Sequence, residues 1–451
     1  MTKPNRRSFL KFLAVGSAIS SAGLSPARGG AQSSAHVVII GGGTGGATAA
    51  KYLKLGDETL RVTVIEANRK YRRCYGSSEV LTGDASYDDI TITYDSLKDK
   101  YGVKFLFDTV VAVDPQTQMI NLKSGETVSY DRLIVSPGLD FIWDGTNGYS
   151  EAVAQGPMPH AWKAGEQTLL LKRQIDAMPE DGTMIIVPPP DPYRCPPGPY
   201  ERASLLAEMF QTQKPRAKIL IFDLKDGFAM DQAFMLGWNR LYGYQIPEEK
   251  MTGMPDDINL PAEQGMIDWI SGSNGGKIVE VNPSDMTVTT QLGDVVHGDV
   301  INFIPPQKAA KLAFDMDLTE GNWCPVNRVT MESTRHKSIH VIGDSCIADA
   351  MPKSGFSANS QAKLAAVQII RNLRGQDPVE PAWSNVCFSR VNAEYGVSIA
   401  DIFRLDRATN KIILTPNSGG VSPLNASHQF NRMEALYQEA WLENFVADSF
   451  G

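Results

Sequence analysis

The sequence predicts an α/β protein made of two Rossmann-like dinucleotide-binding domains and a smaller C-terminal α+β domain. Three observations lead there: a strand, a glycine turn and a helix in succession from His36, a second strand–helix unit starting at Thr183, and mixed strand and helix signals from about Pro378 onward. A chain of 451 residues, 42% hydrophobic and 21% charged, is an ordinary globular one, long enough for two or three domains. Its net charge of −8 excludes a nucleic-acid binder, which needs a basic stripe to neutralise phosphates. Five cysteines are too few for a disulfide scaffold. With no CxxC or CxxCH there is no zinc ribbon and no covalently attached haem, so any haem must sit on another chain.

Residues 1–31 read as an export signal, with a basic start, a short apolar run from Phe12 to Leu24 and small residues before Ala31. Arg6 and Arg7, followed by Ser8, Phe9, Leu10 and Lys11, form a twin-arginine pattern that addresses a bacterial protein to the route for folded proteins. The apolar run is well short of the roughly 20 residues that span a bilayer, so cleavage is expected rather than anchoring. Cleavage removes Lys3, Arg6, Arg7, Lys11 and Arg28 and no acids, leaving the mature chain five charges more negative. No later segment is apolar enough to span a membrane, so a soluble periplasmic product is expected, in a compartment where disulfides persist.

His36-Val-Val-Ile-Ile40 is a run of β-formers, Gly41 to Gly46 a glycine turn, and Ala47 to Leu53 has helical character. A second strand, Arg61 to Ile65, ends at Glu66, about 20 residues beyond Gly46. In a dinucleotide-binding unit Gly41 makes the tight turn, Gly43 admits a pyrophosphate, Gly46 allows close helix packing, and Glu66 takes ribose hydroxyls. Further strands are expected at Val110–Val113 and Tyr130–Gly138, the latter closing in a Pro-Gly turn. Val110 and Gly138 complete this part of the expected cofactor-binding set.

The second unit has strands at Thr183–Val187 and Lys218–Phe222. Where a nicotinamide-binding unit places its glycine turn, this chain has the proline-rich segment Pro188–Pro199. Proline fixes φ and lacks the N–H that would hold a phosphate, so no NAD(P)H site is expected. The chain then returns through His340-Val-Ile-Gly-Asp344 and a helix over Ser357–Leu373, where Asp344 can meet a sugar-alcohol chain or simply close a strand. The expected division is 32–150 and 301–376 for the first domain, 151–300 for the second and 377–451 for the third. The six histidines show no metal-ligand spacing.

The leader, Gly41 to Gly46, Arg73-Cys74-Tyr75, the segment from Tyr193 through Cys195 to Glu201, Asp344 with Met351-Pro-Lys-Ser-Gly to Gln361, and Tyr395-Gly396 together resemble the flavoprotein subunit of flavocytochrome c sulfide dehydrogenase. That family is related to the sulfide:quinone oxidoreductases. The resemblance implies an FAD-binding first domain, a second Rossmann-like domain without an NAD site, and a C-terminal flavin and interface domain. It implies FAD joined by a thioether to Cys74, where the bland alternative is a small buried residue. It also implies a redox-active disulfide between Cys195 and Cys387, where the alternatives are a structural disulfide or two unrelated thiols. Hydrosulfide can open such a disulfide by thiol-type exchange, leaving a persulfide and a thiolate placed to pass two electrons to the flavin.

Glu201 is either the base for hydrogen sulfide, as the resemblance implies, or a complement to a helix dipole. Lys353 either steadies a reduced flavin or lies on the surface. Cys324 and Cys346 either pair or stay reduced. Trp441, in an acidic amphipathic tail, either covers the ring or packs the third domain. The implied function is oxidation of sulfide to zero-valent sulfur or polysulfide, with electrons passed to haem on a separate cytochrome c subunit. The alternatives are a sulfide:quinone oxidoreductase and a catalytically silent flavin-binding protein.

Overall fold

The computed structural model describes residues 35–259 and 265–451, so the leader and its twin-arginine pair lie outside the described residues. The first domain opens with β1 (His36–Ile40), α1 (Thr44–Gly56), β2 (Arg61–Ile65), β3 (Lys104–Leu106) and β4 (Arg132–Val135). The second contributes β5 (Thr183–Val187), α2 (Gly198–Gln213), β6 (Lys218–Phe222), α3 (Asp231–Tyr242), β7 (Ile267–Ile270) and β8 (Val300–Phe303). The chain then returns with β9 (Ile339–Val341) and α4 (Gly355–Leu373). It ends in β10 (Ala382–Asn392), β11 (Tyr395–Asp406), β12 (Lys411–Leu414) and α5 (His428–Phe450).

Each of the first two domains is built on a parallel sheet, in the order β9-β4-β1-β2-β3 in one and β7-β6-β5-β8 in the other. Their central strands are apolar on both faces because helices or antiparallel strands cover both. Val37, Ile39, Val64 and Ile134 are fully buried in the first core, and Ile186, Ile219, Phe210 and Trp238 in the second. Each domain also carries a three-stranded antiparallel meander, Val110–Ser129 in the first and Ile278–His297 in the second. The chain crosses back later than the sequence suggests. Residues 301–303 lie in β8, paired with β5, and the return begins where Gln307–Ala309 pairs with Leu139–Phe141.

Three details of the fold position the site. Gly46 packs the start of α1 against the turn, since a Cβ there would lie 1.8 Å from the Gly41 carbonyl oxygen. Gly41, at φ +97°, adopts a conformation that glycine tolerates best. The long antiparallel strand β10 packs against both α2 and α4, so the third domain joins the first two. α5 then lies across β10, β11 and α1.

Substitution of Gly46 by Ala should therefore cost several kcal/mol, at the severe end for single changes, because backbone must move. Gly125→Ala, also at positive φ (+92°) but with open space around it, should cost only about 1–2 kcal/mol. Urea-unfolding midpoints of the two variants give the comparison.

Candidate active site

A cavity of about 90 Å³ opens where the three domains meet. Cys74 reaches it from the loop before the short helix Ser77–Thr82, Cys195 and Glu201 from the proline-rich loop and the first turn of α2, and Cys387 from β10. Trp441 and Phe445, from α5, form its roof. They stack at 5.4 Å between ring centroids, and Phe356 of α4 stacks on Phe445 at 5.5 Å. Trp441 thus both covers the cavity and packs the third domain.

The proline-rich loop is pinned along its length. The Arg194 amide donates to Gln307 Oε1 (2.9 Å), the Trp162 indole N–H to the Arg194 carbonyl (3.1 Å), and the Tyr193 hydroxyl to the Pro196 carbonyl (2.7 Å). Cys195 sits at φ +57°, and its amide donates to the Lys353 carbonyl at 2.7 Å. In front of the α2 start, a Cβ on Gly198 would meet the Trp162 ring at 2.7 Å and Cys195 Sγ at 3.0 Å. That space is filled by a ring and a sulfur, and a proline stands at the head of the helix.

Burial dominates the electrostatics. It pushes the Cys195 thiol up to about 12, with the Glu201 carboxylate adding to the shift and the Arg194 guanidinium opposing it. It holds Cys387 well above the ordinary thiol range, with Cys195 and Glu201 adding. It raises Glu201 to about 7, while the Arg390 amide, which donates to Oε1 at 3.1 Å, pulls the other way. All five cysteines are free.

The glycine turn suits a pyrophosphate. Gly43 gives α1 no side-chain cap, the first turn holds no acid, and a Cβ on Gly43 would meet only the edge of Tyr71, at 3.5 Å. An uncapped helix start of this kind presents free N–H groups and positive dipole to an anion. Glu66 takes the Gly42 amide on one carboxylate oxygen (2.7 Å) and the Asn68 amide on the other (2.8 Å). Asp344 lies in the turn after β9, with Arg194 Nη1 3.5 Å from its carboxylate. In the cavity itself the buried Trp441 Nε1 has no hydrogen-bond partner. These features fit FAD, whose pyrophosphate the open, uncapped start of α1 would hold.

Other expected site residues stand apart from the cavity. Val110 starts the first meander, and the Gly138 carbonyl accepts from Ser345 and Ala310 in the return segment. Lys353 donates to the carbonyls of Asp344 (2.7 Å) and Cys346 (2.9 Å), and its ammonium lies 3.7 Å from the centre of the Trp323 ring. Half-buried, it lines a second cavity of about 320 Å³ rather than the one holding the cysteines. Cys324 and Cys346 pair in an isolated parallel bridge, both buried and with no disulfide between them, and the Cys346 thiol donates to Gln361 Oε1 at 3.3 Å. Conversely, Glu79, Trp162, Arg194 and Arg202 line the cysteine cavity. Single polar or aromatic residues without a repeat give sequence reading nothing to select them by.

Residues 168–305 match the family model for the central part of the sulfide dehydrogenase [flavocytochrome c] flavoprotein chain, and residues 379–450 match its flavin-binding part. Residues 35–156 match the pyridine nucleotide-disulphide oxidoreductase model. This chain is a flavoprotein of the flavocytochrome c sulfide dehydrogenase and sulfide:quinone oxidoreductase kind. The mitochondrial sulfide:quinone oxidoreductase of Dictyostelium discoideum is 21% identical over 356 residues, 75% of this chain and 71% of that one. The sulfide-quinone reductase of Aquifex aeolicus is 27% identical over 116 residues, about a quarter of each chain. The X-ray structure of the sulfide:quinone oxidoreductase from Aquifex aeolicus shares the fold, with a TM-score of 0.64 at 18% identity and 92% of each chain covered. The flavoprotein is thus an FAD-dependent oxidoreductase built from two Rossmann-like domains.

Glu201 yields a pH prediction. Its carboxyl is raised on folding from 4.5 to about 7, so the stability it contributes is full below the unfolded value and is lost as pH rises through 7. Glu201→Gln should therefore match the parent near pH 4 and exceed it above pH 7, by up to about 3 kcal/mol. Urea unfolding of the flavin-loaded protein at the two pH values measures the difference.

Proposed function

We propose that this flavoprotein oxidises sulfide to zero-valent sulfur or polysulfide in the periplasm and passes the electrons to a cytochrome c subunit. The observation that carries the proposal is the meeting of Cys74, Cys195, Cys387 and Glu201 in one cavity, supplied by all three domains. A module that only bound flavin would have no use for two further cysteines beside a carboxyl raised to about 7. The twin-arginine leader supports the periplasmic assignment, and the family models support the cytochrome partner.

In this reading Cys195 and Cys387 form the disulfide of the resting enzyme. Glu201, poised near neutrality, takes the proton of hydrogen sulfide. The hydrosulfide attacks one sulfur, the S–S bond breaks, a persulfide forms there, and a thiolate is left on the other sulfur. FAD, when bound, supplies a two-electron acceptor that can return electrons singly to a one-electron partner. Gly41, Gly43, Gly46, Glu66 and Asp344 would hold it, and Cys74 would be the residue that tethers it through a thioether. The Trp441–Phe445–Phe356 roof keeps bulk water off the sulfur chemistry and closes the cavity to a bulky quinone.

Anaerobic titration with sulfide should bleach the flavin absorbance, and NADH should not. Cys387→Ser should stay yellow and lose the bleaching; unaltered bleaching in that variant would sink the disulfide mechanism. Acid precipitation should carry the colour down with the parent protein and leave it in solution for Cys74→Ser.

A further inference from the structure

The second Rossmann-like unit carries an acid that the chemistry above does not use. Asp223 follows β6 as Glu66 follows β2, at the position where a dinucleotide-binding unit offers a carboxylate to ribose hydroxyls. Here it is fully buried. One carboxylate oxygen accepts from the Tyr200 hydroxyl and the Trp269 indole N–H (3.2 Å), and the other from the Lys225 amide (3.0 Å) and ammonium (2.7 Å). These donors fill the about four acceptor positions of a carboxylate and leave none for a sugar. Two of them lead to the loop that carries Cys195. The Lys225 ammonium also donates to the Pro189 carbonyl (3.0 Å), near the start of the loop, and lies 5.2 Å from the centre of the Tyr193 ring, whose hydroxyl holds the Pro196 carbonyl. Tyr200 stands in the first turn of α2, next to Glu201, and its ring stacks on Phe228 at 3.6 Å between centroids. Glu66 does less for its own loop, which it ties at the Gly42 amide while remaining half-buried.

We propose that Asp223 and Lys225 are positioning residues for the sulfur site. The acid that a dinucleotide would take holds the proline-rich loop instead, at Pro189 before Cys195 and at Tyr200 after it, and so sets Cys195 and Glu201 against Cys387. Neither Asp223 nor Lys225 lines the cavity, so both act through Pro189, Tyr193 and Tyr200. The proposal rests on the reading of Cys195 and Cys387 as a redox pair.

The test compares Lys225→Met, which removes the tie to Pro189, with Tyr200→Phe, which removes the tie to α2, and Lys225→Arg, which keeps a donor. In reduced, flavin-loaded protein the alkylation of Cys195 by iodoacetamide is followed by peptide mass spectrometry, with Cys324, fully buried in the first core, as the internal reference. The Met and Phe variants should label faster at Cys195 relative to Cys324, whereas a general loosening of the fold speeds both. The limiting rate of bleaching at saturating sulfide should fall by up to about a hundredfold, the scale of a misplacement of about 1 Å, with the half-saturating sulfide concentration little changed. Lys225→Arg should restore both readings. Met and Phe variants with the parental limiting rate overturn the proposal. So does a fall in rate that the Arg variant does not reverse, or one accompanied by an equal gain in labelling at Cys324. Should Lys225→Met fail to load flavin, Tyr200→Phe decides by the same readings. A parent that sulfide never bleaches overturns the sulfide reading, and labelling then decides alone: an unchanged ratio overturns the positioning role, and a raised one leaves it standing.

Discussion

The hydrogen bond from the Cys195 amide to the Lys353 carbonyl, 2.7 Å long, is the contact on which the site depends. It joins the proline-rich loop of the second domain to the turn that leads the returning chain into α4. Cys195 meets it at positive φ, a conformation that costs a non-glycine residue roughly 1–2 kcal/mol and persists only where the surroundings over-determine it. Here they do. The bonds at Tyr193, Arg194 and Gly198 fix the residues on either side, and the prolines leave little chain freedom to be lost on folding. In the proposed chemistry Cys195 would exchange bonds with a second sulfur and would have to sit at a fixed height, which a loop tied at both ends favours.

The same contact explains why the proline-rich segment replaces a phosphate cradle. The helix start after a strand is an anion site only when its N–H groups are free and the space before them is open. At α1 both conditions hold, with Gly43 in front. At α2 neither does, because Trp162 and Cys195 Sγ fill the space and proline takes a donor away. Two strand–helix units of like topology are thereby given different work, one suited to holding a dinucleotide and the other to holding a sulfur.

How much of this was legible in the sequence follows from how local each feature is. The glycine turn and Glu66 were readable because a tight turn and the next strand end fix their spacing within one βαβ unit. The strands of both sheets were readable as continuous β-branched runs, since burial on both faces removes alternation. The late crossing at residues 307–309 was not, because Val300–Phe303 reads equally well as the last strand of one sheet or the first of the next. The convergence of Cys195 with Cys387 is set by β10 packing on α2 and α4, which no local pattern encodes, and only the family resemblance suggested it. The direction of Lys353 was equally out of reach. A lysine two residues before a helix carries no sign that its ammonium turns back to two carbonyls and a tryptophan ring.

The environments of the two sulfurs suggest why the site needs all three domains. Cys195 has the Arg194 guanidinium and the start of α2 beside it, both of which favour negative charge on sulfur. Cys387 has no such cation; burial, Cys195 and Glu201 all raise its proton affinity. In the proposed chemistry the two sulfurs therefore differ before any substrate arrives: burial raises both thiols, and only Cys195 has a cation beside it to offset part of that rise. That difference cannot be built within a single strand or helix, where neighbouring residues share one field. It requires one sulfur on the loop that carries the arginine and the other on a strand from a separate domain, and α5 then closes a low-dielectric roof over both, strengthening every charge beneath it.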